Sequence, residues 1–216
     1  MTDADHSQTD ATEASDAADN AAPAGRKRPK PGERRVQILQ ALASMLEQPG
    51  AERITTAALA ARLEVSEAAL YRHFASKAQM FEGLIDFIEQ SVFSLINQIQ
   101  ERHAGDGRQQ AAAITAMLVQ FAERNPGMTR VMVGDALVFE NERLQQRMNQ
   151  FFDKVESALR QCLRDGAGDS ATPTADAQVQ ASLLTAFAAG RLQRFARSGF
   201  RRLPSEHLEA SVARIL

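Results

Sequence analysis

The side chains best suited to specific chemistry lie between Thr55 and Lys77, and the chemistry they suit is non-covalent recognition of duplex DNA. Ser66, Glu67 and Ala68 open a short apolar-periodic segment. A hydroxyl, a carboxylate and a methyl at the first positions of a helix can each meet a base edge in the major groove. Tyr71, Arg72 and His73 follow within reach of backbone phosphates, which fix position without reading sequence. Covalent chemistry has little to work with. His6, His73, His103 and His207 are scattered, the single Cys162 has no base near it, and no glycine-rich phosphate loop occurs. No catalytic residue, metal site or cofactor is expected, and Cys162 reads as a small buried hydrophobe.

Positioning such a reader takes three short helices. Ile54, Leu59 and Leu63 give one an apolar stripe; Val65, Ala69, Leu70 and Phe74 give the second; Val36, Leu39, Leu42, Ala43 and Leu46 give the third, starting near Glu33 and stopped by Gln48, Pro49 and Gly50. Thr55 and Thr56 can cap one helix and Ser66 the next, through side-chain oxygens that accept from orphaned N–H groups. Ser76 with Gln79 has the form of a capping box and places Lys77 in the first turn of the following helix. A cation there opposes the helix dipole, which makes sense if a phosphate faces the same corner.

That following helix runs from Ser76 to about His103, with Phe81, Leu84, Ile85, Ile88, Val92, Ile96 and Ile99 on one face, so it links the reader to whatever lies beyond. Gly105, Asp106 and Gly107 form a loop before a helix over 111–123. Asn125 as N-cap and Pro126 start another. Leu144, Met148, Phe151, Val155, Leu159 and Cys162 mark a long helix, residues 166–173 a loop, and Val179, Leu183, Phe187, Gly190 and Phe195 the stripe of a helix over 174–198. A short helix opened by Pro204 closes the chain. The expected fold is all-α. Small residues around Gly190 invite a second copy of the same helix, and the last two long helices are the expected dimer surface.

The run VSEAALYRHFASK resembles the DNA-binding domain of the TetR family of bacterial regulators. Glu64 departs from that pattern, since it stands where the family usually has a turn glycine. The resemblance implies a helix-turn-helix domain over 32–77 and a larger helical dimerisation and partner-binding domain over 78–216, each with its own core. A homodimer of such domains reads a palindromic site.

Charge supports this arrangement although the net formal charge is −2. Residues 1–25 hold Asp3, Asp5, Asp10, Glu13, Asp16 and Asp19 and no Lys or Arg, and with no branched apolar residue they read as a disordered tail. Residues 26–77 carry ten basic groups against five acidic ones, a balance of +5 that suits phosphate neutralisation. Arg26, Lys27, Arg28, Lys30, Arg34 and Arg35 read as a basic arm beside the reader. No apolar run approaches membrane-spanning length and the N-terminus is acidic, so a cytoplasmic, nucleoid-associated protein with no membrane partner is expected.

Three longer segments, RITTAALAARLEVSEAALYRHFASKAQMFEGLIDFIE, FAERNPGMTRVMVGDALVFENERLQQRMNQFF and GRLQRFARSGFRRLP, are similar to the nucleoid occlusion factors, a branch of the TetR family. This resemblance implies binding at scattered chromosomal sites and, when bound, antagonism of the tubulin-like division protein FtsZ and of septum formation. Carried over by position, it assigns Phe87, Arg124 and Asn125 to the FtsZ-facing surface. Each also has a purely structural reading, Phe87 as core and Arg124 with Asn125 as a helix junction. The competing function is a ligand-responsive repressor, which would need an apolar cavity of a few hundred Å³ in the second domain.

Overall fold

The computed structural model describes residues 32–48, 54–166 and 172–216. The acidic tail, the arm as far as Pro31, the Pro49–Gly50 stop and most of the loop expected over 166–173 lie outside the described residues. Among those described, every regular element is helical: α1 Glu33–Leu46, α2 Thr56–Arg62, α3 Glu67–Tyr71, α4 Lys77–Arg102, α5 Gly107–Arg124, α6 Pro126–Met132, α7 Glu142–Asp165, α8 Pro173–Arg197 and α9 Leu208–Ile215, with a 3₁₀ turn at Asp135–Leu137.

Local chemistry accounts for most boundaries. Thr55 Oγ1 accepts from Ala58 N at 3.2 Å, Ser66 Oγ from Ala69 N and Ser76 Oγ from Gln79 N, so α2, α3 and α4 each begin on a side-chain cap, whereas α1 follows Gly32 without one. The box at Ser76 is completed one residue early, because Gln79 Oε1 accepts from the N–H of Ala75. Asp106 Oδ1 caps α5 through Gln109 N and so starts it at Gly107, four residues ahead of the expected helix. Asn125 differs in role. Its side chain makes no cap bond to α6 but donates Nδ2 to the carbonyl of Phe121 at 2.7 Å, closing the end of α5 instead. Pro204 is buried in a turn, and α9 begins only at Leu208, behind a left-handed His207.

All seven apolar residues expected on α4 are buried, as are all six on α7. Two helices depart from the expected stripes. On α1, Val36 is exposed and Ile38 is buried in its place beside Leu42 and Leu46. On α8, Val179 and Leu183 are exposed while Ala177, Ala181, Leu184, Ala188, Leu192 and Phe195 face the core. This helix carries two apolar faces, and periodicity alone cannot say which one the chain covers.

The buried residues form one contiguous cluster from Ile38 through Val212, not two separate cores. The reader is joined to the rest by α4 and by the packing of α6 on α1. Gly127 makes that second contact possible: a Cβ added there would overlap the carbonyl oxygen of Ala43 and lie 2.8 Å from its carbon. At the far end, Gly107 approaches the backbone of Cys162 in the same manner. Cys162 is 2 % exposed, and burial pushes its thiol pKa up, keeping it neutral and inert as expected of a core residue.

Candidate nucleic-acid interface

The reader is built on its buried side by Ile54, Leu59, Leu70 and Phe74, which leaves the opposite faces of α2 and α3 in solvent. Ser66, Glu67, Ala68, Tyr71 and Arg72 are all exposed there, Thr55 is exposed at the head of α2, and Thr56 and His73 are half-buried. Three of them form one chain of hydrogen bonds. Thr56 Oγ1 donates to Glu67 Oε2 at 2.6 Å, and the Tyr71 hydroxyl reaches Thr56 Oγ1 at 3.5 Å, the outer limit of such a bond. Glu67 is thereby held in one rotamer at the mouth of α3, where a carboxylate can accept from a cytosine amino group. Ser66 serves the helix cap with its lone pair and keeps its proton for a base or a phosphate.

Glu64, in the turn between α2 and α3, has φ 54°. The left-handed conformation anticipated for the family's glycine is adopted here by a residue with a Cβ, at a cost of about 1 kcal/mol. The turn is retained because Val65 N donates to Ala60 O and Glu64 N to Ala61 O.

Arg35, read from sequence as part of the arm, belongs to α1. Its guanidinium lies 4.1 Å from the ring centroid of Phe74 and donates to the carbonyl of His73, tying α1 to the end of α3. Arg62 ties α2 to α1 through Ser44 Oγ at 2.9 Å. The three helices are therefore cross-tied by side chains as well as by their core.

Lys77 is placed otherwise than its neighbours. Its ammonium ion-pairs with Glu140, just ahead of α7, and lies 5.7 Å from the Phe81 ring. The cation misplaced against the dipole of α4 is offset by a carboxylate of the same chain. Replacing Glu140 with Gln frees the ammonium, so affinity for any duplex should rise about threefold at low salt, with a steeper salt slope. Unchanged affinity in a filter-binding or anisotropy titration would remove Lys77 from the phosphate contacts. Tyr71→Ala should weaken all duplexes alike by about tenfold, whereas Ser66→Ala or Glu67→Gln should change which base is preferred. A uniform loss for Glu67→Gln would count against base reading by α3.

The residues assigned by resemblance to a protein partner fall on the second part of the chain. Phe87 is 39 % exposed on α4, between the buried Ile85 and Ile88, so its side chain is not core. Arg124 is exposed at the end of α5 and Asn125 is half-buried beside it. At about 1.5 Å rise per residue, Phe87 and Arg124 lie roughly 22 and 26 Å from the α4–α5 loop, a similar depth along the bundle. Nearby, Arg147 of α7 bridges Asp86 and Glu89 of α4, each at 2.8 Å. Burial alone would lower the Arg147 pKa, but the hydrogen bonds and charges of Asp86 and Glu89 outweigh it and raise it.

The interior of the second domain is filled by side chains such as Leu84, Ile88, Val92, Ile114, Leu118, Phe151 and Val155, each at most 1 % exposed. A groove of about 440 Å³ lies between α5 and α9, lined by Ala112, Ala113, Ala116, Leu208 and Val212 with Asp106, Arg108 and Glu209 among its polar residues.

Comparison with known proteins agrees with this geometry. Residues 38–84 match the family described as bacterial regulatory proteins, tetR family, and residues 108–215 match the SlmA-like family described as tetracyclin repressor-like, C-terminal domain. The nucleoid occlusion factor SlmA of Idiomarina loihiensis is 51% identical over 178 residues, covering 82% of this chain and 90% of that protein. Those of Shewanella loihica and Vibrio cholerae are 52% and 50% identical, covering 81% and 82% of this chain and 88% and 90% of theirs. Among solved structures, a TetR transcriptional regulator from Legionella pneumophila superposes with a TM-score of 0.68 at 12% identity, over 88% of this chain and 100% of that one. The regulator FadR from Bacillus subtilis, in complex with stearoyl-CoA, gives 0.66 at 13% identity, over 83% and 96%. Likeness at such identities carries the fold alone.

Proposed function

Since the chain belongs to the SlmA nucleoid occlusion factors, a branch of the TetR family of DNA-binding regulators, we propose that it binds palindromic chromosomal sites as a homodimer and, when bound, antagonises FtsZ assembly. The observation that carries the partner half of this reading is Phe87. A large apolar side chain stands exposed on the same helix whose first turn belongs to the DNA reader. Arg124 supplies an exposed cation at a similar depth. Aromatic residues and arginine are the side chains on which protein interfaces most depend. The bound protein would work at the nucleoid, in the cytoplasm; among the described residues no helix is long and apolar enough to cross a membrane.

The dimer half rests on α8. Val179, Leu183, Ala186 and Gly190 recur at near-heptad spacing along its exposed face. A Cβ at Gly190 would meet nothing within 4 Å of this chain, yet a glycine inside a helix costs about 0.5–1 kcal/mol relative to alanine. Close approach by α8 of a second copy gives the glycine a reason to be there. Gly190→Ala should therefore weaken dimerisation about tenfold in sedimentation velocity; an unaltered dimer would move the interface elsewhere.

The decisive test pellets FtsZ filaments formed with GTP in the presence of this protein and either a genomic fragment it binds or a scrambled duplex of equal length. Loss of filaments with the bound fragment alone is the expected result. Intact filaments with both, despite tight DNA binding, would overturn the FtsZ reading and leave a ligand-responsive repressor. The groove of about 440 Å³ between α5 and α9 is where that alternative would seat its ligand.

A further inference from the structure

The corner between α8 and α9 is strongly basic and lies outside the residues assigned to DNA reading. Arg191, Arg194, Arg197, Arg201 and Arg202 fall within twelve residues, and no Asp or Glu occurs from Ala177 to Ser205. All but Arg191 are exposed. The guanidinium groups of Arg194 and Arg202 form no hydrogen bond or ion pair among the described residues, while Arg201 Nε donates only to the carbonyl of Ser198 at 2.9 Å. Charges left unpaired on an ordered surface are available to a partner.

The backbone beneath them is held in place at some cost. Gly199 and Phe200 are both left-handed, with φ 62° and 63°, and His207 has φ 54°. Ser198 Oγ accepts from the N–H groups of Arg201 and Arg202 at 3.1 and 2.9 Å. Phe200 packs edge-on against the buried Phe195. Arg191 lies 4.8 Å from the Phe187 ring, donates to the carbonyls of Pro204 and Glu206, and bonds Ser211 Oγ at 3.2 Å. Ser205 N donates to Glu123 Oε2 on α5. Strain of this kind persists where the surroundings over-determine it, and it collects at ligand-holding loops.

We propose that this corner is a docking surface for an acidic peptide segment that carries an apolar side chain. Arg201 and Arg202 line an open concavity of about 580 Å³ with Ser198, Leu203, Ser205 and Glu206. Leu203, 52 % exposed in the midst of the arginines, decides between partners. Phosphates of a duplex would be met by the guanidinium groups alone and have no use for it. A peptide interface combines an apolar anchor with arginines, whose planar forks take carboxylates two bonds at a time. Among its described lining residues Glu206 carries the carboxylate; it lies 3.8 Å from His207. The inference goes beyond the FtsZ reading and does not depend on it.

The test is fluorescence anisotropy with the full chain and a fluorescein-labelled synthetic peptide of Asp and Glu around a single Leu. The same peptide with Asn and Gln in place of the acids, and a labelled duplex of arbitrary sequence, are titrated alongside. The acidic peptide should bind and the amide peptide should not. Arg201→Gln with Arg202→Gln should weaken it about tenfold or more, and Leu203→Ala about threefold. Arg102→Gln, an exposed arginine elsewhere, should change nothing, and duplex affinity should stay constant throughout. Arg202→Gln as a single variant leaves every described hydrogen bond intact. It carries the test if the double variant loses its native circular dichroism, with about threefold weakening expected. Equal binding of the two peptides, or unchanged affinity in the arginine variants, would overturn the proposal. Loss of duplex binding with peptide binding retained would do the same and assign the corner to DNA.

Discussion

Gly127→Ala is expected to destabilise the protein by about 3 kcal/mol, a fall in Tm of roughly 6–12 °C for a chain of this size, and to reduce DNA affinity as well. The added methyl has nowhere to go. Its neighbours are the carbonyl carbon and oxygen of Ala43, which are backbone atoms inside α1, and Glu47 Cγ at 3.2 Å. Relief requires α6 to lift away from α1. That movement breaks the bond from Arg130 to the carbonyl of Leu46 and displaces the helix whose Arg35 holds the end of α3. Stability and DNA binding should fall together, by calorimetry and by anisotropy with a bound duplex. A variant of native Tm would mean that the α1–α6 contact yields without cost, and the rigid link between reader and second domain would have to run through α4 alone.

Phe87→Ala combined with Arg124→Ala should abolish the action on FtsZ, by about tenfold or more in the concentration needed, while DNA affinity stays within about twofold. The separation is possible because neither side chain lies in the buried core. Phe87 is 39 % exposed, and the Arg124 guanidinium is committed to no described carboxylate. Filament sedimentation with the bound fragment reads the first quantity and anisotropy the second. Full activity in the double variant would remove both residues from the partner surface. Loss of DNA binding instead would mean that they act through the reader.

The helices were written plainly in the chain. Caps at Thr55, Ser66 and Ser76 sit one residue from apolar periodicity, and a side-chain oxygen that satisfies an orphaned N–H is a local event that needs no distant partner. The stripes of α4 and α7 were equally clear because each helix buries a single face. Asn125 misled for the opposite reason. Its position before Pro126 suits an N-cap, but two helices meet there and its amide served the end of α5. Local rules give both options the same standing.

Three features depended on contacts between segments far apart. Lys77 reads as a phosphate ligand until Glu140, sixty-three residues away, is found beside it. The close approach of Gly127 to the backbone of Ala43 joins residues eighty-four apart. The strain of the loop at Gly199 and Phe200, and its tie to Glu123 through Ser205 N, also appear only in the fold.

What the sequence determined by itself was the all-α class, the order of the helices, and the exposed positions at the mouth of α3, because capping and a 3.6-residue period are satisfied within a turn or two of chain. Tertiary structure decided which face of α8 is buried, which cations already have a carboxylate, and where two helices touch at backbone distance. Those properties belong to pairs of segments, and the free energy of a pair is fixed only when the fold brings both members together.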